Sequence, residues 1–320
     1  MKTVLKWTGI LLLLLIFGFS ASVAVLKNRT FDAPYPSLKA STDTAIIERG
    51  KAIVYGPAHC AHCHTPASEI DRIDKGDIVP LAGGHIFDIP PGKFYTQNIT
   101  SDKETGIGNL PDSTIARSLR YGVGHDGRAL FDFMPFHNLS DEDLVAVLSY
   151  LRSTPPVKNK VPETEISTLG LVLKAFVLKP VGPEGEIPQS VKPDSSIAYG
   201  KYLAESVANC KGCHTNRDLK TGAYVGPFYG GGFVMPCENT PGKAVVTRNI
   251  TVDPEHGMLA YMNEDAFIKR FRDGKRVHES TMPWGPFSRM SEMELKAIYR
   301  FLKTIPPVKN DPGPVLVDLK

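Results

Sequence analysis

Cys60-Ala61-His62-Cys63-His64, repeated as Cys210-Lys211-Gly212-Cys213-His214, is the stretch from which the chain is read. Two thiols three positions apart, with an imidazole directly behind the second, form the attachment pattern of a c-type haem. One helical turn sets both sulfurs along one porphyrin edge, where they add to two vinyl groups. The adjoining histidine then becomes the proximal ligand of the iron. A zinc ion shared by the two Cys-x-x-Cys pairs is the competing assignment. It leaves both histidines without a role.

A haem held on one face needs a ligand on the other. Met134, in Phe133-Met134-Pro135-Phe136, stands 70 positions beyond His64 (134 − 64), and Met282, in Thr281-Met282-Pro283-Trp284, stands 68 beyond His214 (282 − 214). One Met-Pro pair is ordinary core filler, since methionine packs irregular gaps. Two at matched distances from two haem motifs read as axial ligands, so each iron is expected to be His/Met ligated. Met235-Pro236 lies only 21 positions past His214 (235 − 214), has no counterpart in the first half, and is read as structural.

The chain of 320 residues allows about two domains. Its 28 glycines and 26 prolines make about one residue in six, against a usual share nearer one in eight. That excess suits loops wrapped around a flat cofactor that supplies much of the core. A net charge of +3 is too small to argue for nucleic acid or anionic lipid. The two motifs use four of the five cysteines, and Cys237 is left as a single, buried or half-buried thiol.

Lys2 and Lys6 precede an uncharged run from Trp7 to Leu26, closed by Lys27 and Arg29. Twenty residues at the helical rise span about 30 Å, the thickness of a bilayer core. A signal peptide cleaved after Ala24 competes, but the apolar run is long for a signal. The expectation is a retained transmembrane anchor at residues 1–29 and a tether at 30–42. Export places the remainder in the periplasm, with the chain held in the inner membrane by a single pass; a soluble periplasmic protein is the alternative.

Beyond the tether one plan is written twice. Ile47-Glu48-Arg49-Gly50-Lys51 answers to Ala198-Tyr199-Gly200-Lys201-Tyr202, Gly83-Gly84 to Gly231-Gly232, and Asn98-Ile99-Thr100-Ser101-Asp102 to Asn249-Ile250-Thr251-Val252-Asp253. Leu151 to Asn159 answers to Leu302 to Asn310. The repeats delimit units at 43–159 and 195–310, each with three predicted helices. The first runs from about Thr44, or Ser196, into the cysteine motif. The second covers Asp112–Tyr121 and Asn263–Arg272. The third opens at Ser140 with an acidic first turn, or at Ser291 with Glu294 as a capping box, and ends at Pro-Pro. Gly50 and Gly200 interrupt the first helices, where glycine is costly. A close crossing beneath Tyr150 and Phe301 explains them. Residues 160–194 form a connector whose apolar stretch, Leu169–Leu178, is too short to span a membrane. It is expected to tie the two units together, with a second membrane contact as the alternative, and Pro180–Pro193 reads as an extended strap. The tail, 311–320, reads as irregular.

These paired motifs, the two Asn-Ile-Thr-x-Asp loops and the Met-Pro loops resemble the mono- and dihaem cytochrome c family. They are especially similar to the cytochrome subunits of membrane-bound bacterial alcohol and sugar-acid dehydrogenases, which usually carry three haem motifs where this chain has two. The resemblance covers residues 43–310. It implies an all-α fold of two tandem cytochrome c-like domains carrying two covalently bound haem c groups. It also implies Asn98 and Asn249 as contacts of the haem propionates. With Cys60, Cys63, His64, Met134, Cys210, Cys213, His214 and Met282 they complete the expected cofactor site, and His64, Met134, His214 and Met282 are its metal ligands. A protein ligand on both faces leaves the iron no substrate position, so the expected role is electron carriage between redox partner proteins, not catalysis. A dihaem peroxidase or thiosulfate-type dehydrogenase is the alternative, and a sensor or assembly module with structural haem is a third class. His59, His62, His85, His125, His137, His256 and His278 follow no metal spacing and are assigned to surface or loop positions.

Overall fold

The computed structural model describes residues 1–218, 222–237 and 240–319. Helix α1 (Lys2–Leu26) has no buried residue along its length. Its apolar side chains face outward all round, which a helix does when lipid is its solvent. One such helix near an N-terminus also fits a leader sequence by length and composition.

The chain after α1 follows one element order twice. In the first pass, α2 (Thr44–Tyr55) is capped by Asp43, whose side chain accepts from the Ala45 and Ile46 amides. It crosses α6 (Asp141–Ser153), which is capped by Ser140. A Cβ on Gly50 would stand 1.9 Å from the Ala146 carbonyl oxygen and 2.9 Å from Tyr150 Cβ. In the second pass, α8 (Ile197–Tyr202) crosses α12 (Glu292–Leu302), which carries the full Ser291–Glu294 capping box. There a Cβ on Gly200 would stand 1.9 Å from the Ala297 carbonyl oxygen. Glycine in the middle of each helix is therefore the condition for backbone-to-backbone approach. Tyr150 overlies the first glycine as expected, whereas at the second the nearest atoms belong to Ala297 and Ile298 and not to Phe301.

The first helix does not run into the motif in either pass. In the first, α2 stops at Tyr55, and the motif forms a separate turn, α3 (Cys60–Cys63). In the second, α8 loosens into a π-helical turn, Leu203–Val207, before α9 (Cys210–Cys213). Between them stands one left-handed residue, His59 with φ +41° or Asn209 with φ +53°, which redirects the chain. The second helices are α5 (Asp112–Tyr121) and α10 (Glu264–Arg272).

The expectation of an all-α fold is corrected by two three-stranded antiparallel sheets. One comprises β1 (Ile86–Ile89), β2 (Gly92–Tyr95) and β3 (Glu165–Ile166). The other comprises β4 (Val234–Pro236), β5 (Lys243–Val246) and β6 (Leu316–Asp318). The strands are so short that period-two alternation hardly registers, and each sheet's third strand comes from outside the repeated units, β3 from the connector and β6 from the tail expected to be irregular. Thus part of the connector and part of the tail are edge strands; Lys320 lies outside the described residues.

The connector's apolar stretch is also placed differently. It forms α7 (Thr168–Phe176), capped by Ser167, and packs against α1 with Phe19 and Phe176 stacked at 5.7 Å. Among the described residues it packs on α1 and, at Pro91, on the first repeat. The two repeats meet, among other contacts, at Arg49, which pairs with Asp143 at 2.9 Å and reaches Glu294 at 3.6 Å. Tyr202 adds a hydroxyl bond to Asp143 at 2.7 Å. One buried core runs through both repeats.

Candidate functional site: two matched axial-ligand cradles

Each motif histidine is locked by its own backbone and by one distant carbonyl. The amide of His64 donates to Cys60 O at 2.8 Å and that of His214 to Cys210 O at 2.9 Å. The Nδ1 of His64 lies 2.8 Å from Gln97 O, and the Nδ1 of His214 lies 2.8 Å from Arg248 O. A carbonyl only accepts, so Nδ1 carries the proton and Nε2 presents its lone pair away from the loop. That second bond fixes both tautomer and ring plane for a metal-bound imidazole. Burial lowers the pKa of both rings, which favours the neutral form that ligates.

Burial raises the pKa of Cys60, Cys210 and Cys213 and favours their thiol form. Burial, helped by the neighbouring thiol, pushes Cys60 and Cys210 up to about 12. Zinc takes thiolates, and among the described residues no three His, Cys, Asp or Glu side chains converge on a metal position. The two Cys-x-x-Cys pairs are thus not brought to one ion.

Met134 and Met282 are half-buried and pack on the same core as Cys60 and Cys210. Their loops open alike: Phe136 N donates to Met134 O, and Trp284 N to Met282 O, both at 2.8 Å. Met134 lines a small cavity with Leu130, Phe131, Asp132 and His137. The back of each loop is clamped by an arginine that sequence reading overlooked. Buried Arg120 donates to the His137 carbonyl at 3.2 Å and to Leu139 O, and pairs with Asp141 at 2.7 Å. Arg272 donates to Met290 O at 2.8 Å and to Ser288 O. The available signal was position, since each arginine stands near the end of the repeat's second helix.

Asn98 and Asn249 are buried, and each fastens its loop to distant backbone. Asn98 Nδ2 donates to Val157 O at 2.8 Å, while its Oδ1 accepts from the Thr100 amide and hydroxyl. Asn249 Nδ2 donates to Val308 O at 2.7 Å and Asn310 O at 3.1 Å, and its Oδ1 accepts from Thr251 in the same way. Both amides fasten the loop to the chain after Pro-Pro. The same loops carry the carbonyls of Gln97 and Arg248, so the asparagines position the acceptors of the motif histidines.

His85 and His137 lie in loops and are buried. His137 bridges Asp132 at 3.0 Å and Leu119 O at 3.1 Å, and His62 pairs with Asp74 at 2.8 Å. Met235 lies in β4, its sulfur accepting from the Thr281 hydroxyl beside Met282. Cys237 is buried, with its thiol facing the Glu279 carbonyl.

The donor set fits a covalently held porphyrin: neutral imidazoles with a fixed tautomer, paired thiols on one turn, and half-buried thioethers. These features define a haem-binding electron-transfer domain. Residues 47–155 match the model of the family described as Cytochrome c. The chain is 27% identical over 90% of its length to the fructose dehydrogenase cytochrome subunit of Gluconobacter japonicus, covering 58% of that protein. With the gluconate 2-dehydrogenase cytochrome c subunit of Pantoea cypripedii it shares 26% identity over 82% of its length, covering 60% of that relative. With the cytochrome c subunit of the quinone-dependent alcohol dehydrogenase of Gluconobacter oxydans it shares 29% identity over 83% of its length, covering 56% of it. The chain therefore spans less than two thirds of each of these relatives.

Proposed function

We propose that the chain is a membrane-anchored, periplasmic dihaem cytochrome that passes electrons from a membrane dehydrogenase to a downstream acceptor. The units 43–159 and 195–310 each hold one haem c, through Cys60, Cys63, His64 and Met134 in one and Cys210, Cys213, His214 and Met282 in the other. Bound haem supplies the reversible one-electron couple. The residues do the rest: Gln97 and Arg248 carbonyls orient the histidines, the asparagine loops hold those carbonyls, and Arg120 and Arg272 hold the methionine loops. A thioether opposite a neutral imidazole favours the reduced state and raises the potential.

The observation that carries this reading is the repeated bond from the motif histidine Nδ1 to a loop carbonyl, at 2.8 Å in both copies. A partner dehydrogenase is supported by the names of the relatives. Retention of α1 is supported by its packing, because removing it would strip α7 of the partner for Phe176. The purified, exported protein should show covalent porphyrin that survives acid–acetone. Met134→Ala and Met282→Ala should each let carbon monoxide bind one reduced iron while the haem stays attached. If neither variant binds it, the axial assignment is wrong.

A further inference from the structure

Helix α7 lies outside both repeated units in sequence and is placed between α1 and the first of them. Its sequence, Thr168-Leu-Gly-Leu-Val-Leu-Lys-Ala-Phe176, is almost wholly apolar, yet Leu169, Phe176 and Val177 are each more than two fifths exposed, as is Val181 just beyond. Apolar exposure on one short segment points to something that covers it.

Its neighbours say what that is. Phe176 stacks on Phe19 of α1 at 5.7 Å. Phe19 lies seven residues before the end of α1 at Leu26 (26 − 19), which at the helical rise is about 10 Å along the axis. The uncharged run of α1 ends at Leu26, where the hydrocarbon meets the headgroups. The tip of α7 therefore stands at the depth of acyl chains. Lys27 and Arg29 directly follow α1, and Lys174 and Lys179 stand in α7 and just after it, as basic residues do where a chain meets lipid phosphates. The Arg29 guanidinium donates to Leu178 O at 2.6 Å and so pins the end of α7 to the exit of α1.

The other side of α7 is fixed to the first repeat. A Cβ on Gly170 would stand 2.0 Å from Pro91 O, and Ser167 bonds the Pro91 and Pro90 carbonyls at 3.0 and 2.8 Å. The chain leaving α1 is no free tether either. Phe31 N donates to Gly127 O at 2.8 Å, Arg117 donates to Phe31 O at 3.1 Å, and the Arg117 guanidinium lies 4.4 Å over the Tyr35 ring.

We infer that α7, from Leu169 through Val181, is a second membrane contact: it inserts its apolar face into the outer leaflet beside α1 and holds the first haem repeat in one orientation on the bilayer. This rests on the retained anchor proposed above. Its occupant is lipid, because the segment shares its depth with a helix built for lipid.

Photocrosslinking in intact membranes tests it. p-Benzoylphenylalanine is introduced singly at Val177, at Leu13 within α1, and at exposed Tyr261 of the second repeat, in the full haem-loaded chain. After illumination, phospholipid adducts are expected on the peptides carrying positions 13 and 177 and none at 261. Lipid adducts at 13 with none at 177 overturn the inference and leave the anchor standing. A protein adduct at 177, with a second copy or another protein, overturns it in favour of a protein interface. A mature N-terminus after Ala24, with position 13 lost, overturns the anchor and this inference together.

Discussion

The two methionine loops begin alike and end differently. Leu139, whose carbonyl Arg120 clamps, stands five residues beyond Met134 (139 − 134), whereas Met290, clamped by Arg272, stands eight beyond Met282 (290 − 282). The extra residues build α11 (Trp284–Ser288), which docks on α4 (Ile70–Lys75) of the first repeat. A Cβ on Gly285 would fall 2.4 Å from Asp74 Cα, and Arg289 donates to Asp74 O and Tyr55 O, both at 3.1 Å. Phe287 meets His59 edge-on at 5.8 Å. In the first repeat the corresponding loop closes on itself through His137 and Asp132. Duplication thus left the residues aimed at the cofactor alike, and divergence went to the surface where the copies meet. That surface carries the loop of Met282 to the motif turn of Cys60.

Removing the clamps should break the likeness most strongly. Arg120→Ala leaves buried carbonyls without a donor and should cost about 2–3 kcal/mol, seen as loss of the Met134–iron absorption band and early melting of the first repeat. The more exposed Arg272→Ala should cost about 1 kcal/mol. Equal effects would mean that the two loops do not depend on their arginines as their burial implies.

Arg289→Ala addresses the difference instead. It should weaken the contact between α11 and α4 by about 1 kcal/mol, read as faster amide exchange in both helices and unchanged exchange in α5 and α6. Unaltered exchange in α4 would show that Gly285 and Phe287 suffice.

The smallest effect is on pH. His59 and Asn209 occupy the same left-handed position before the motif turn, but only the histidine titrates, and burial lowers its pKa to about 4. Since the unfolded value is near 6.5, the folded state resists protonation. The stability that depends on neutral His59 is present above about pH 6.5 and is lost as the pH falls toward 4, by on the order of 1 kcal/mol once partial exposure is allowed for. His59→Asn should flatten the acid dependence of the first repeat over that range. A variant melting curve with the same slope against pH would remove His59 from the account.

Much of the site was legible because haem attachment is local chemistry. Cys-x-x-Cys-His, a helix capped at Ser291–Glu294, and glycine at two helix crossings each speak through neighbouring residues or through repetition. The second strand of evidence, matched spacing to Met134 and Met282, drew on the duplication itself. What stayed hidden was non-local. Strands of two to four residues carry too little alternation to be seen, and their partners come from as far as the tail. Arg120 and Arg272 looked like ordinary charged helix ends, since only the fold brings loop carbonyls to them. The bond from Asn98 to the chain after Pro-Pro is likewise set only by the fold.

By itself the sequence determined where the two Cys-x-x-Cys-His motifs lie, that the motif occurs twice, and that an apolar helix precedes them, because covalent spacing and helical period are written residue by residue. Only the tertiary structure decided that α7 lies on α1, that α11 bridges the repeats, and which carbonyls orient His64 and His214. Those outcomes depend on contacts between segments distant in the chain, whose free energy no single segment contains.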